Sequence, residues 1–132
     1  MSPKRILVAD DEPNMLRVLT LLLQRAGFEV RTARDGRQAL ESILANPPDV
    51  LVTDIQMPHM TGEQLCRELE RQVPERRFPI FVMTSMTDRE HRCWSQGMRD
   101  TEFLEKPVSV RTLIAKVERH FAQAQDGAPG DA

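Results

Sequence analysis

The chain predicts an α/β fold, a doubly wound three-layer sandwich with five parallel strands. Three observations predict it. Short apolar runs alternate with helical apolar stripes along the whole chain, the connections between them are short, and two of the apolar runs end abruptly in carboxylates. Asp10 and Asp11 follow Ile6-Leu7-Val8-Ala9, and Asp54 follows Val50-Leu51-Val52-Thr53. Near-continuous apolar strands are buried on both faces. Right-handed crossovers between parallel strands then place helices on both sides of the sheet.

Residues 4–9 read as the first strand. Pro13 suits a helix N1 position, and Met15, Leu16, Leu19, Leu22, Leu23 and Ala26 form an apolar stripe that Gly27 terminates. Phe28 to Thr32 is the second strand, followed by an Asp35-Gly36 turn. A helix from about Arg37 to Ala45 stops before Pro47-Pro48, because the residue ahead of a proline is pushed out of helical backbone. Residues 49–53 form the third strand, and Gly62 to Gln72 is a helix that ends near Pro74. The fourth strand, Ile80 to Met83, is entered through Phe78-Pro79, and Asp88 starts a helix ending near Gly97. Phe103-Leu104 marks a short fifth strand. Ser109 caps a last helix with Val110, Leu113, Ile114, Val117 and Phe121 at helical spacing. Ala122 to Ala132 is small, polar and Gly/Pro-bearing, and reads as a flexible tail or the start of a linker.

Composition excludes several function classes. With 132 residues the chain is one domain, and its formal net charge of −2 has no long run of either sign. A basic stripe for nucleic acid is missing, since Arg76-Arg77 alone is too short. No apolar stretch approaches the roughly 18 residues that span a bilayer, and no signal-peptide core precedes the first strand. Cys66 and Cys93 make neither a disulfide framework nor a metal spacing, and read as reduced, half-buried helix residues of a cytoplasmic protein. His59, His91 and His120 are not spaced as ligand pairs and read as exposed. Trp94 reads as a core anchor or as an exposed partner contact. Of 18 basic residues only Lys4, Lys106 and Lys116 are lysine, so a Lys at a strand end is informative.

In open α/β sheets, ligands bind at the C-terminal ends of the strands. Asp10, Asp11 and Asp54 gathered there would raise one another's pKa unless a cation sat among them. Oxygen ligands without Cys or His favour Mg2+ over Zn2+. Thr84 follows the fourth strand and Lys106-Pro107 the fifth. Acids, a hydroxyl and an ammonium suit phosphoryl transfer to a carboxylate, with Asp54 as nucleophile. Taken singly these residues have plainer readings. Asp10, Asp11 and Glu12 suit a helix N-terminus through the macrodipole, Thr84 suits a solvated loop, and Lys106 suits an ordinary surface.

At this point the chain resembles the receiver domains of two-component response regulators, the CheY-like superfamily, over residues 4–121. The resemblance rests on Asp10-Asp11, on Asp54-Ile-Gln-Met-Pro58-His-Met-Thr-Gly62, on Thr84-Ser85, and on Phe103 three residues before Lys106-Pro107. It implies a flavodoxin-like sheet of strand order 2-1-3-4-5, with residues 1–121 as the receiver domain and 122–132 outside it. It implies Asp54 as phosphoacceptor, and Mg2+ (Mn2+ substituting) held by Asp11, Asp54 and the Gln56 backbone carbonyl, with Asp10 acting through a water. Thr84, Ser85 and Lys106 would then meet the phosphoryl group, Pro58 and Gly62 would shape the loop, and the bond before Pro107 would be cis. The implied partners are a sensor histidine kinase or phosphotransfer protein and a downstream effector. A homodimer would use the face of the fourth helix, fifth strand and last helix; neither nucleic acid nor membrane is a direct partner. No enzyme activity is implied beyond the domain's own phosphorylation and slow dephosphorylation.

A switch follows physically. Thr84 moves to hydrogen-bond the phosphoryl group, and the ring of Phe103 fills the space behind it, biasing that face between two arrangements. Gln56 and Met86 flank the path of the attacking water, and Met86 offers no strong hydrogen bond to orient it, so self-dephosphorylation is expected to be slow. The chain departs from the family pattern at Met98-Arg99, where Gly-Ala is usual, and at Ser85, where Ala or Gly is common. Two rival functions fit less well. A flavodoxin-like cofactor binder needs a Gly-, Ser- or Thr-rich phosphate loop after the first strand, where this chain has Asp-Asp-Glu-Pro. An aspartyl phosphatase needs a carboxylate two residues after its nucleophile, where Gln56 stands.

Overall fold

The computed structural model describes residues 3–85 and 98–130. Five parallel strands, β1 (Arg5–Ala9), β2 (Glu29–Ala33), β3 (Val50–Asp54), β4 (Ile80–Thr84) and β5 (Thr101–Glu105), form one sheet of order β2-β1-β3-β4-β5. The helices are α1 (Pro13–Arg25), α2 (Gly36–Ala45), α3 (Gly62–Gln72) and α4 (Val110–Gly130). The helix expected between Asp88 and Gly97, with Met86, His91, Cys93 and Trp94, lies outside the described residues.

Strand alternation builds two cores. Ile6, Val8, Val50, Val52, Phe81, Met83 and Leu104 point to one face, against Leu16, Leu19 and Leu23 of α1 and Leu113 and Val117 of α4. Leu7, Ala9, Leu51, Ile80 and Val82 point to the other, against Ala39 and Ile43 of α2 and Leu65, Cys66 and Leu69 of α3. Every residue of β3 and β4 is buried. Burying each large aliphatic side chain contributes about 1.5–3 kcal/mol, so these central strands carry much of the fold and fix where their polar ends fall.

The helix ends follow the chemistry read from the sequence. Pro13 sits in the first turn of α1, and Gly27 just beyond it has φ 100°. Thr61 and Gln64 make a reciprocal capping box at the start of α3. The Thr112 N–H donates to Ser109 Oγ at 3.2 Å, capping α4.

Three expectations are corrected. Cys66 is fully buried rather than half-buried, because it lies on the inward face of α3 beside Leu65 and three residues from Leu69; burial pushes its thiol up to about 12, against the opposing pull of Arg76. The helix α4 runs on past Phe121 to Gly130, through most of the segment read as a flexible tail or the start of a linker. His120 is half-buried, with its ring edge-on to Phe121 at 5.7 Å.

The departure at Arg99 has a structural use. Arg76 is 2% exposed, and its guanidinium donates to Phe78 O and Arg99 O, both at 2.6 Å. Arg99 reciprocates, donating to Arg76 O at 2.5 Å and Pro74 O at 2.9 Å. The two arginines thereby staple the α3–β4 loop to the start of β5. Arg99→Ala removes two of these bonds and is expected to cost about 1–2 kcal/mol, read as a lower urea midpoint.

Candidate functional site

The strand ends bring the predicted residues together. Asp54 closes β3 at 4% exposure, Asp10 follows β1 at 2%, and Asp11 is exposed beside it. One carboxylate oxygen from each of the three lies within 4.8 Å of the others. Lys106, just past β5, places Nζ 3.0 Å from Asp54 Oδ1, and the Ile55 N–H donates to the same oxygen at 2.8 Å. The Glu12 N–H donates to Asp10 Oδ1 at 3.0 Å. Despite that donor, the Asp10 carboxyl is held above its usual range, mainly because burial disfavours its charge, with Asp54 and Asp11 adding repulsion and Lys106 opposing it.

Three carboxylates, two of them buried, around one ammonium leave excess negative charge among the described residues. Such a set fits a hard divalent cation with oxygen ligands. Of the loop that follows Asp54, Gln56 is exposed and Met57 is buried.

Thr84 ends β4 fully buried, and its Oγ1 has no hydrogen-bond partner among the described residues. A buried hydroxyl left unpaired costs about 1–3 kcal/mol, and no group among the described residues offsets that cost here. Ser85 beside it is half-buried. In the β4–β5 ladder Val82 pairs with Phe103 and Thr84 with Glu105. Paired residues of a ladder share a face, so Phe103 stands on the Thr84 side of the sheet, half-buried against the core there. The Lys106 N–H donates to Thr84 O at 2.7 Å, and the Lys106–Pro107 bond is cis.

Gly62 is explained by space. A Cβ there would lie 2.2 Å from Asp54 O, and the Gly62 N–H donates to Ile55 O at 2.8 Å. Pro58 and His59 form an exposed turn, with His59 at φ 65°. Sequence reasoning missed two contributors. Asp35-Gly36 reads as a turn, yet its Gly36 N–H donates to Met60 O at 2.9 Å, tying that turn to the loop after β3. Arg76 reads as a weak basic pair with Arg77, yet it is a buried staple. Only the Asp-Gly pair ahead of a helix carried a signal for the first; nothing local marks the second.

A parallel sheet of this order, with carboxylates, an ammonium and a buried hydroxyl at its strand ends, defines a flavodoxin-like α/β protein with an acidic strand-end site. The chain belongs to the response regulator receiver domain family, which it matches over residues 6–118. It is 31% identical to the alkaline phosphatase synthesis transcriptional regulatory protein PhoP of Bacillus subtilis (strain 168), over 96% of this chain and 52% of that protein. The chain thus spans about half the length of the curated relatives it matches. Among solved structures it is similar to the chemotaxis response regulator CheY4 of Vibrio cholerae, with TM-score 0.79, 32% identity, and 89% and 98% of the two chains covered. A CheY-like receiver domain protein from Methanospirillum hungatei JF-1 superposes with TM-score 0.84 at 25% identity, covering 96% and 99%. No helix among the described residues is long and apolar enough to cross a membrane.

Proposed function

We propose that this domain accepts a phosphoryl group on Asp54 in a Mg2+-dependent reaction and relays that event to a downstream effector. The observation that carries the reading is the buried Asp54 carboxylate, held by Lys106 at 3.0 Å inside a cluster with Asp10 and Asp11. One oxygen of the Asp54 carboxylate is the attacking atom. A P–O bond forms there while the donor's P–N bond (a phosphohistidine) or P–O bond (an acyl phosphate) breaks, and the electron pair leaves with the donor. Asp10, Asp11, Asp54 and the Gln56 carbonyl would hold Mg2+, which neutralises phosphoryl oxygens when bound. Lys106 supplies a second positive charge to the same oxygens, and the Thr84 hydroxyl donates to one of them, with Ser85 beside it. Intact-mass measurement after acetyl phosphate treatment is expected to show one added phosphoryl group with Mg2+ and none with EDTA. Labelling that ignored the metal would overturn the reading.

Thr84→Val tests the hydroxyl. Removing a buried hydroxyl that has no partner among the described residues, while keeping shape, is expected to raise the stability of the unphosphorylated protein by about 1 kcal/mol, seen in urea unfolding. The same variant is expected to lose the change in amide exchange that phosphorylation brings to β5 and α4. Phe103 is the proposed coupler, since it shares a face with Thr84 one step back along the sheet. Phe103→Ala is expected to leave labelling of Asp54 intact and to remove most of that exchange difference. An unchanged difference would exclude the ring.

In this reading residues 1–121 are the receiver module, residues 122–132 lead out of it, and the protein works in the cytoplasm. A histidine kinase or phosphotransfer protein supplies the phosphoryl group. The effector, or a second copy in a homodimer, meets the face that includes β5 and the last helix. Gln56, and Met86 beyond the described residues, tune water access, so dephosphorylation is slow.

A further inference from the structure

Both walls of the acidic cleft are tied to one turn. The Asp10 N–H donates to Ala33 O at 3.0 Å, which holds the wall after β1. Three residues on, the Gly36 N–H donates to Met60 O at 2.9 Å, which holds the loop after β3 that includes Gln56. We propose that the β2–α2 turn, Ala33 to Gly36, is a brace that sets the separation of the two walls, with Gly36 as its critical positioning residue; this rests on the Mg2+-dependent reading above.

The brace is stiff in its own right. The Gln38 N–H donates to Asp35 Oδ1 at 2.8 Å, and the Arg34 N–H donates to Gln38 Oε1 at 2.9 Å, so the turn is locked by a reciprocal pair of side chains. Asp35 is only 6% exposed. The contact with the loop has no slack: a Cβ on Gly36 would lie 2.4 Å from Met60 O and 2.9 Å from Met60 Cγ. The loop cannot pass the displacement onward, because Gly62 is pinned to Ile55 O and packed against the backbone of Asp54. A push on Met60 is therefore absorbed between residues 56 and 60. Mg2+ requires near-ideal octahedral geometry, whereas Ca2+ accepts irregular and larger shells. Displacing one wall should thus weaken Mg2+ more than Ca2+, although Gly36 touches no carboxylate.

Calorimetric titration with Mg2+ and Ca2+ tests this, using wild type, Gly36→Ala, Gln38→Ala, and Ile43→Val as a control that loosens the core under the same helix. Gly36→Ala is expected to raise the Mg2+ dissociation constant about tenfold, the low end for changes behind a metal shell, and to raise the Mg2+/Ca2+ ratio of constants. Gln38→Ala should shift both in the same direction by less, and it carries the test if Gly36→Ala does not fold. Ile43→Val should lower the melting temperature and leave both constants unchanged. Wild-type Mg2+ affinity in both turn variants, or an equal shift in Ile43→Val, would overturn the brace alone. A wild type that takes up no Mg2+ would overturn the brace and the phosphoacceptor reading together.

Discussion

Asp54→Asn is expected to take up no phosphoryl group from acetyl phosphate, at any Mg2+ concentration, by intact mass. The amide keeps the shape of the side chain and the Ile55 N–H contact at its oxygen, but it has no anionic oxygen to attack phosphorus. Its second effect is on stability and runs in the opposite direction. Asp54 is 4% exposed and shares its cleft with Asp10 and Asp11, with Lys106 opposite. Neutralising it removes repulsion from the two neighbouring acids and an attraction to one ammonium. Two carboxylates share the cluster with Asp54 against one ammonium, so relief of repulsion is expected to outweigh loss of the lysine contact. In EDTA the variant is expected to be about 1 kcal/mol more stable than wild type, a rise in melting temperature of about 4 °C. With Mg2+ the difference should shrink or reverse, because the cation stabilises only a protein with its carboxylates in place. Phosphoryl uptake that survives in Asp54→Asn would place the acceptor elsewhere.

Gly62→Ala is expected to be the most damaging single methyl in the described chain. The added carbon would sit 2.2 Å from Asp54 O, 3.0 Å from Ile55 Cα and 3.1 Å from Asp54 C. All three are backbone atoms at the end of a buried central strand, so no side chain can swing aside. Overpacking costs about 1–3 kcal/mol and occasionally more, with fixed backbone on every side placing this case at the upper end, against at most about 1 kcal/mol gained from better helix propensity. The clash wins. Separating the start of α3 from β3 also breaks the Gly62 N–H to Ile55 O bond, at 2.8 Å, and turns the Asp54 peptide. Urea unfolding should show the loss of stability, and phosphorylation of the folded fraction should be slower than wild type. A variant with wild-type stability would mean that α3 can retreat at no cost.

The two experiments probe different layers of one design. Asp54 reports what the cleft does with charge, while Gly62 reports how closely the backbone must pack to form the cleft. The Arg76–Arg99 staple belongs to the second layer. It lies at the opposite end of the sheet from the acids and joins the α3–β4 loop to the start of β5, the strand that carries Phe103 and leads into Lys106.

The sequence by itself determined the alternation of strands and helices, because burial on both faces leaves an apolar run and burial on one face leaves a helical stripe. It also determined which residues stand at strand ends, since Asp10, Asp54, Thr84 and Lys106 each interrupt or follow such a run. Strand order and the roles of these residues came through resemblance to a family rather than from periodicity. Only the tertiary structure decided which groups touch. The Lys106 to Asp54 contact joins the ends of two strands separated by β4, the Thr84 hydroxyl is without a partner among the described residues only because of how its neighbours pack, and Gly36 meets Met60 across a gap between two loops. Cys66 shows the same limit, because a thiol on a polar helix reads as half-buried until α3 turns it inward beside Leu69. Local patterns record how each segment meets water, whereas contacts between distant segments depend on packing at the scale of tenths of an ångström, which no local pattern records.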